Sequence, residues 1–244
     1  MSAAYPVPIN NIIVKQSEIF SSIPDVHIQE ITKHLRAERW SKNACFPAST
    51  LVERFFIILE GRIEMSRVNS DTGRSVTLDL LYPGDSLDLI CLLDGKPHDT
   101  LITSLEEIMV ISAPIKKMKE WIWIYPELNQ KFMPYLAKKM RDQEDTTTNI
   151  ALFDTVTRLS RILLKNLDKM KTYKSLSESE HQEHLVLGLS DELLARMTGS
   201  VRQVVNQHLQ HWKKQGVINK ARNKIMINDL QKIRDDADLT LSRY

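Results

Sequence analysis

Between residues 39 and 111 the apolar positions come in short dense runs, RFFIILEGRIEMSRV, RSVTLDLLY, HDTLITSL and EIMVIS, rich in β-branched and aromatic residues. Asp71-Thr72-Gly73, Pro83-Gly84-Asp85 and Asp94-Gly95-Lys96-Pro97 punctuate them as turns, and Ile57 to Met65 reads as strand, bend, strand. The pattern predicts a compact antiparallel β unit, a roll or barrel. On either side the period is helical. Ile23, Val26, Ile28, Ile31 and Leu35 mark a short amphipathic helix over 23–35, and Pro114 opens another through Ile124, whose Trp121 and Trp123 read as core. Pro126 starts a long helix to about Phe153, with Leu128, Phe132, Tyr135 or Leu136, Met140, Gln143, Thr147 and Ile150 recurring every three or four residues. That spacing is the narrow seam two helices share. Pro134 should bend or break it. Its polar middle, Arg141 to Asn149, fits register control, ligand contact or plain exposure to water.

After a turn at Asp154, Val156, Leu159, Ile162, Leu163 and Leu167 continue as an amphipathic helix, and Lys171 to Glu183 reads as a polar loop. In the next segment, Ser190 caps a short helix carrying Leu193, Leu194 and Met197, and Thr198-Gly199 stops it. A second helix follows, with Val201, Val204, Val205, Leu209 and Trp212 inward and Arg202, Gln203, Asn206, Gln207 and Gln210 outward, until Gly216. Two short helices joined by a tight glycine turn, the second with an amide-and-arginine face, form the pattern of a DNA-reading helix-turn-helix. Ala221 to Ile227 reads as a hairpin wing, with a short helix and tail after it.

Charge agrees. Leu193 to Asn228 holds seven basic residues and no acidic one, and residues 156–244 carry 16 Lys and Arg against 10 Asp and Glu, within a chain of net charge +2. A polyanion partner accounts for that asymmetry through counterion release. The 42% hydrophobic, 26% charged composition is that of a globular protein, and no apolar run reaches the length of a bilayer span, so a cytoplasmic protein with no membrane is expected. Cys45 and Cys91 are the only cysteines, too few for an all-cysteine iron–sulfur cluster, and read as reduced, buried small hydrophobes. No metal site emerges: His27, His34, His181 and His184 lack tight spacing, and His208 and His211 suit phosphate better. No cofactor is indicated. Paired carboxylates, a nucleophile elbow and a P-loop are absent from the sequence, which argues against an enzyme with catalytic residues.

A β-roll, a long central helix and a C-terminal winged helix-turn-helix together resemble the CRP/FNR family of bacterial transcription regulators. The most specific segments are Tyr125-Pro126-Glu127-Leu128, Ile150 to Asp154 with Arg158-Leu159, Leu189 to Gly199, and Arg202 to Ile218; the roll adds Gly61-Arg62-Ile63-Glu64 and Pro83-Gly84-Asp85. The resemblance implies an α+β chain: an arm over 1–18, a sensor roll over 19–124, a dimerisation helix over 125–154 and a DNA-binding domain over 155–244. It also implies a homodimer through 127–153 on a pseudo-palindromic operator, with RNA polymerase as a further partner. Arg202 falls where the family reads guanine, Gln203 where many members carry glutamate, Gln207 where some carry arginine, and Val201 where serine is common. Asn206 lies on the same face, and Ser190, Thr198, Ser200, Lys213 and Lys214 are candidates for phosphate contact.

The effector pocket that the resemblance implies departs from the cyclic-AMP pattern. Leu89, followed by Ile90, stands at the ribose glutamate position, His98-Asp99-Thr100 replaces Arg-Ser-Ala, and Gln143 with Glu144 replaces the Thr-Ser pair on the helix. A carboxylate at Asp99 opposes a phosphate. The expected effector is therefore neither cyclic AMP nor cyclic GMP, or there is none; His98 could hold haem and the cysteines could sense redox state. The competing class is a ligand- or protein-interaction module whose winged helix no longer reads DNA.

Overall fold

The computed structural model describes residues 5–7, 14–15, 17–174 and 184–238. The expected anchors Ile12 and Ile13, His181, residues 175–183 of the polar loop and the tail from 239 lie outside them. The chain divides into two compact units, Met1–Asp142 and Gln143–Tyr244. No helix among the described residues is long and apolar enough to cross a membrane.

In the first unit the strands are β1 Tyr5–Val7, β2 Arg36–Trp40, β3 Cys45–Pro47, β4 Arg54–Glu60, β5 Ile63–Val68, β6 Ser75–Leu81, β7 Leu101–Ser104 and β8 Ile108–Pro114. They form two four-stranded sheets, ordered β1-β2-β8-β4 and β3-β7-β5-β6, and every pairing is antiparallel. The helices are α1 Asp25–Thr32, α2 Leu89–Asp94, α3 Ile115–Ile124 and the long α4 Pro126–Leu152, which ends in the second unit.

The unbroken apolar run of β4 has a simple cause: its sheet is buried on both faces. Phe55, Ile57 and Leu59 with Met109, Ile111 and Ala113 of β8 face a core shared with Ile28 and Ile31 of α1, Met118 and Trp121 of α3, and Leu128, Phe132 and Tyr135 of α4. Phe56, Ile58, Ile108 and Val110 point the other way, onto Ile63, Met65, Leu81 and Ile102. The bend after β4 requires glycine. Gly61 has φ +78°, and a Cβ there would stand 2.6 Å from Ile108 Cγ2 and 2.7 Å from the Glu107 carbonyl oxygen.

Several details differ from the sequence pattern. The first helix is shorter than 23–35, and Val26 is 69% exposed on its solvent face. Part of the arm is strand β1, and the segment expected to be wholly β contains α2, capped by Asp88, whose side chain accepts from the Cys91 amide. Trp121 is core as expected, but Trp123 is 88% exposed. Cys91 is buried and Cys45 is exposed on a strand, so only one thiol behaves as a small hydrophobe. Pro134 lies inside α4 without ending it.

The expected α4 seam also splits. Leu128, Phe132, Tyr135 and Lys139, three or four residues apart, are buried within the first unit. Met133, Ala137, Met140, Glu144, Thr147 and Ala151, alternately four and three residues apart, are all exposed. A helix presents several faces, and the roll takes the bulky one. Lys139 is held there by ion pairs of 3.0 Å to both Asp79 and Asp85, while the Tyr135 hydroxyl accepts from the Ser86 amide at 2.8 Å. Burial alone would lower the Lys139 pKa, but the two carboxylates outweigh it and hold the ammonium above its ordinary range.

The second unit contains α5 Thr155–Lys174, β9 Leu185–Leu187, α6 Asp191–Thr198, α7 Arg202–Lys214, β10 Ile218–Ala221, β11 Lys224–Ile227 and α8 Leu230–Asp238. Asp154 caps α5 by accepting from the Thr157 amide at 2.8 Å. Leu159, Leu163 and Leu167 are buried, and α5 packs on α6, α7, β9 and α8. The three strands form one antiparallel sheet, β10-β11-β9, of which the sequence pattern predicts only the hairpin.

Candidate nucleic-acid interface

Local chemistry explains the two-helix element. The Ser190 hydroxyl accepts from the Leu193 amide at 3.1 Å, and Asp191 and Glu192 place carboxylates on the positive end of α6. Gly199, at φ +63°, closes the helix in the left-handed conformation, its amide returning to the Ala195 and Arg196 carbonyls. Val205, Leu209 and Trp212, spaced by four and three, are buried, so the inward face of α7 is set by the core beneath it. The remaining circumference is polar. Arg202, Gln203, Gln207, Gln210, Lys213 and Lys214 are exposed and Asn206 is half-buried. Thirteen residues give α7 a length of about 20 Å, and a helix fits a major groove about 12 Å wide. Among the described residues no ion pair engages Arg202.

Two positions differ from their assigned roles. Thr198 is fully buried, its hydroxyl donating to the Leu194 and Ala195 carbonyls at 2.8 and 3.1 Å, so it cannot reach a phosphate and leaves the set of contacts. Val201 is the residue before the first turn of α7 and is 56% exposed; it belongs to the outward surface and not to the inner face. Ser190 and Ser200 are half-buried.

The wing adds a basic rim. β10 and β11 turn at Arg222-Asn223, with Asn223 at φ +56°, and Ala221, Arg222 and Lys224 are exposed. Between the wing, the start of α6 and α7 lies a groove of about 560 Å³, lined among others by Arg202, Lys213, Lys220 and Arg222. The sequence missed that the surface is partly neutralised. Lys220 Nζ donates to Asp191 Oδ1 at 2.5 Å, and Arg196 lies 3.7 Å from Glu192. The partners Lys220 and Asp191 are far apart in sequence, and no local pattern signals them.

In the roll, the expected effector positions differ in exposure. Leu89 packs on the helix-side core, Ile90 is 54% exposed, and the side chain of Asp99 is exposed while its carbonyl accepts from Arg67 Nε. Thr100 is buried, with its hydroxyl unpartnered. His98 Nδ1 lies 3.2 Å from Asp88 Oδ1. Gln143 is exposed on α4 and falls in the second unit. Burial, then the nearby Asp88 carboxylate, pushes the Cys91 thiol up and makes it a poor thiolate. Among the described residues no three His, Cys, Asp or Glu side chains stand together as a metal site.

Comparison with known proteins adds two domain matches. Residues 46–122 match the cyclic nucleotide-binding domain and residues 157–235 the Crp-like helix-turn-helix domain. A CRP-like cAMP-activated global transcriptional regulator from Mycobacterium tuberculosis is 22% identical over 222 residues, which span 91% of this chain and 96% of that protein. FixK2 from Bradyrhizobium japonicum shares the fold with a TM-score of 0.67 at 16% identity, over 82% of this chain and 96% of its own. A CooA mutant from Carboxydothermus hydrogenoformans does so with a TM-score of 0.69 at 19% identity, over 96% and 98%.

Proposed function

Because the chain belongs to the CRP/FNR family of transcription regulators, we propose that it binds a pseudo-palindromic operator as a homodimer, in the cytoplasm, and communicates there with RNA polymerase. It is a CRP-like regulator with a helix-turn-helix DNA-binding domain, not an enzyme. The observation that carries the finer reading is the first turn of α7, where Arg202 and Gln203 are exposed on a helix whose opposite face is locked by Val205, Leu209 and Trp212. Arg202 donates twice to the O6/N7 edge of guanine, and Gln203 and Gln207 suit a bidentate pair with adenine. Ser190, Ser200, Lys213 and Lys214 hold phosphates and set register, Val201 adds an apolar contact, and Asn206 supports the amide face. The exposed four-three series from Met133 to Ala151 on α4 supplies the seam for a second copy.

The effector is not cyclic AMP, or the protein acts without a ligand. Leu89 offers no acceptor for a ribose, and Asp99 presents a carboxylate where a phosphate needs a cation.

Selection of bound duplexes from a random pool tests the reading. A recovered inverted repeat with a steep salt dependence is expected, and Arg202→Ala should cost about 1–3 kcal/mol and relax one base position per half-site. Uniform weakening on all sequences would remove the base-reading role, and a pool with no preference would leave a protein-interaction module. Calorimetry with cyclic AMP should show no tight, stoichiometric binding.

A further inference from the structure

Arg161, on the second turn of α5, serves neither the core nor the outward face of α7, yet it touches two other helices and the linker between α4 and α5. Its Nη1 donates to Asn149 Oδ1 on the last turns of α4 at 2.6 Å. Its guanidinium carbon stands 3.8 Å from the centre of the Phe153 ring, and its Nε donates to the Ala237 carbonyl on α8 at 2.9 Å. The residue before Ala237 completes the link. Asp236 is 4% exposed, and its Oδ2 accepts from Trp212 Nε1, on the buried side of α7, at 3.0 Å. An unbroken set of contacts therefore runs from Asn149 through Arg161 and the end of α8 to Trp212, all within the second unit. Only Phe153 and Asp154 separate α4 from α5, and these bonds, with the 3.2 Å bond from Arg158 Nη1 to the Ile150 carbonyl, restrain the end of α4 against the body that carries α7. A guanidinium is suited to that restraint, because its planar fork makes several directed bonds at once while stacking on a ring.

We propose that Arg161 is a positioning residue: by tying the end of α4 to α8 and so to Trp212, it sets the angle of the recognition helix and thereby the separation of half-sites that the dimer accepts. The inference rests on the homodimer reading. Two linked binding events reinforce each other only when the geometry lets both engage, so a loosened junction costs the dimer its gain on a full site without harming one recognition helix on one half-site. Successive major grooves lie about one helical turn, roughly 34 Å, apart.

The test uses the full chain, Arg161→Gln and Asn149→Ala, the second sparing the bonds to Phe153 and α8. Three measurements are made: mass by light scattering, affinity for a duplex with one selected half-site, and affinity for full sites whose spacer varies by single base pairs. Half-site affinity should stay within about twofold of wild type, while affinity at the best spacer falls about tenfold and the spacer preference flattens. Parallel loss on half-sites and full sites would reduce Arg161 to a stabilising residue and overturn the proposal. An unchanged spacer profile would overturn it as well. A wild-type chain that is monomeric, or gains nothing from a second half-site, would defeat the dimer reading itself and this inference with it.

Discussion

Lys139→Met removes the one cation that α4 places between two carboxylates of the roll. The ammonium lies 3.0 Å from Asp79 and 3.0 Å from Asp85, and the three side chains are 11%, 20% and 9% exposed. At an effective dielectric of about 20, each such contact is worth roughly 5 kcal/mol, largely offset by the several kcal/mol spent in burying the ammonium. The variant keeps the buried carboxylates and loses their partner, which places the net cost at about 3–5 kcal/mol. That is a large part of the roughly 5–15 kcal/mol that holds a domain folded, and should lower the melting temperature by roughly 10 °C. Urea unfolding followed by tryptophan fluorescence, with Trp40 and Trp121 in the roll, reads it directly. Adding Asp79→Asn and Asp85→Asn to the variant should restore much of the loss, because asparagine still offers an oxygen to the Tyr82 amide that Asp85 serves. The pH dependence has a definite sign. The folded-state pKa of Lys139 is raised above 10.5, so its contribution is fully present below 10.5 and is lost as pH rises through the higher folded value. The gap between wild type and Lys139→Met should therefore hold from neutral pH to about 10.5 and narrow above it. A cost under about 1 kcal/mol, the range of a surface pair, would refute the reasoning.

Other expectations follow from single contacts. Gly61→Ala should cost about 2–4 kcal/mol by denaturant titration, since the new methyl meets backbone at a positive φ; a neutral result would mean that the bend relaxes freely. In the native protein a thiol reagent should label Cys45 quickly and Cys91 only on unfolding, so two fast thiols would contradict the burial of Cys91. Glu144→Leu, at a polar step of the exposed α4 series, should tighten self-association at least about tenfold in sedimentation, by removing like charge and adding apolar area at a two-fold seam. No change would place Glu144 off the seam.

What the amino-acid order determined by itself is whatever acts within a turn or a strand. Ser190 caps, Gly199 stops, Val205, Leu209 and Trp212 share a face, and the chain runs strand, bend, strand through Gly61, because the forces involved reach only a few residues along the backbone. The helix-turn-helix and its outward arginine were legible on that basis. Tertiary structure decided which partner each side chain meets. Leu128, Phe132 and Tyr135 fit a helix pair as well as they fit a roll, and only the presence of the first sheet beside them selected the roll. Thr198 differs from Ser200 by what encloses it, not by its chemistry. Lys139 with Asp79, Lys220 with Asp191, and Arg161 with Ala237 join residues brought near only by closure of the chain, and no periodicity encodes such a meeting. A repeating pattern fixes the direction a residue faces; the atoms it finds there depend on how the other elements pack against it.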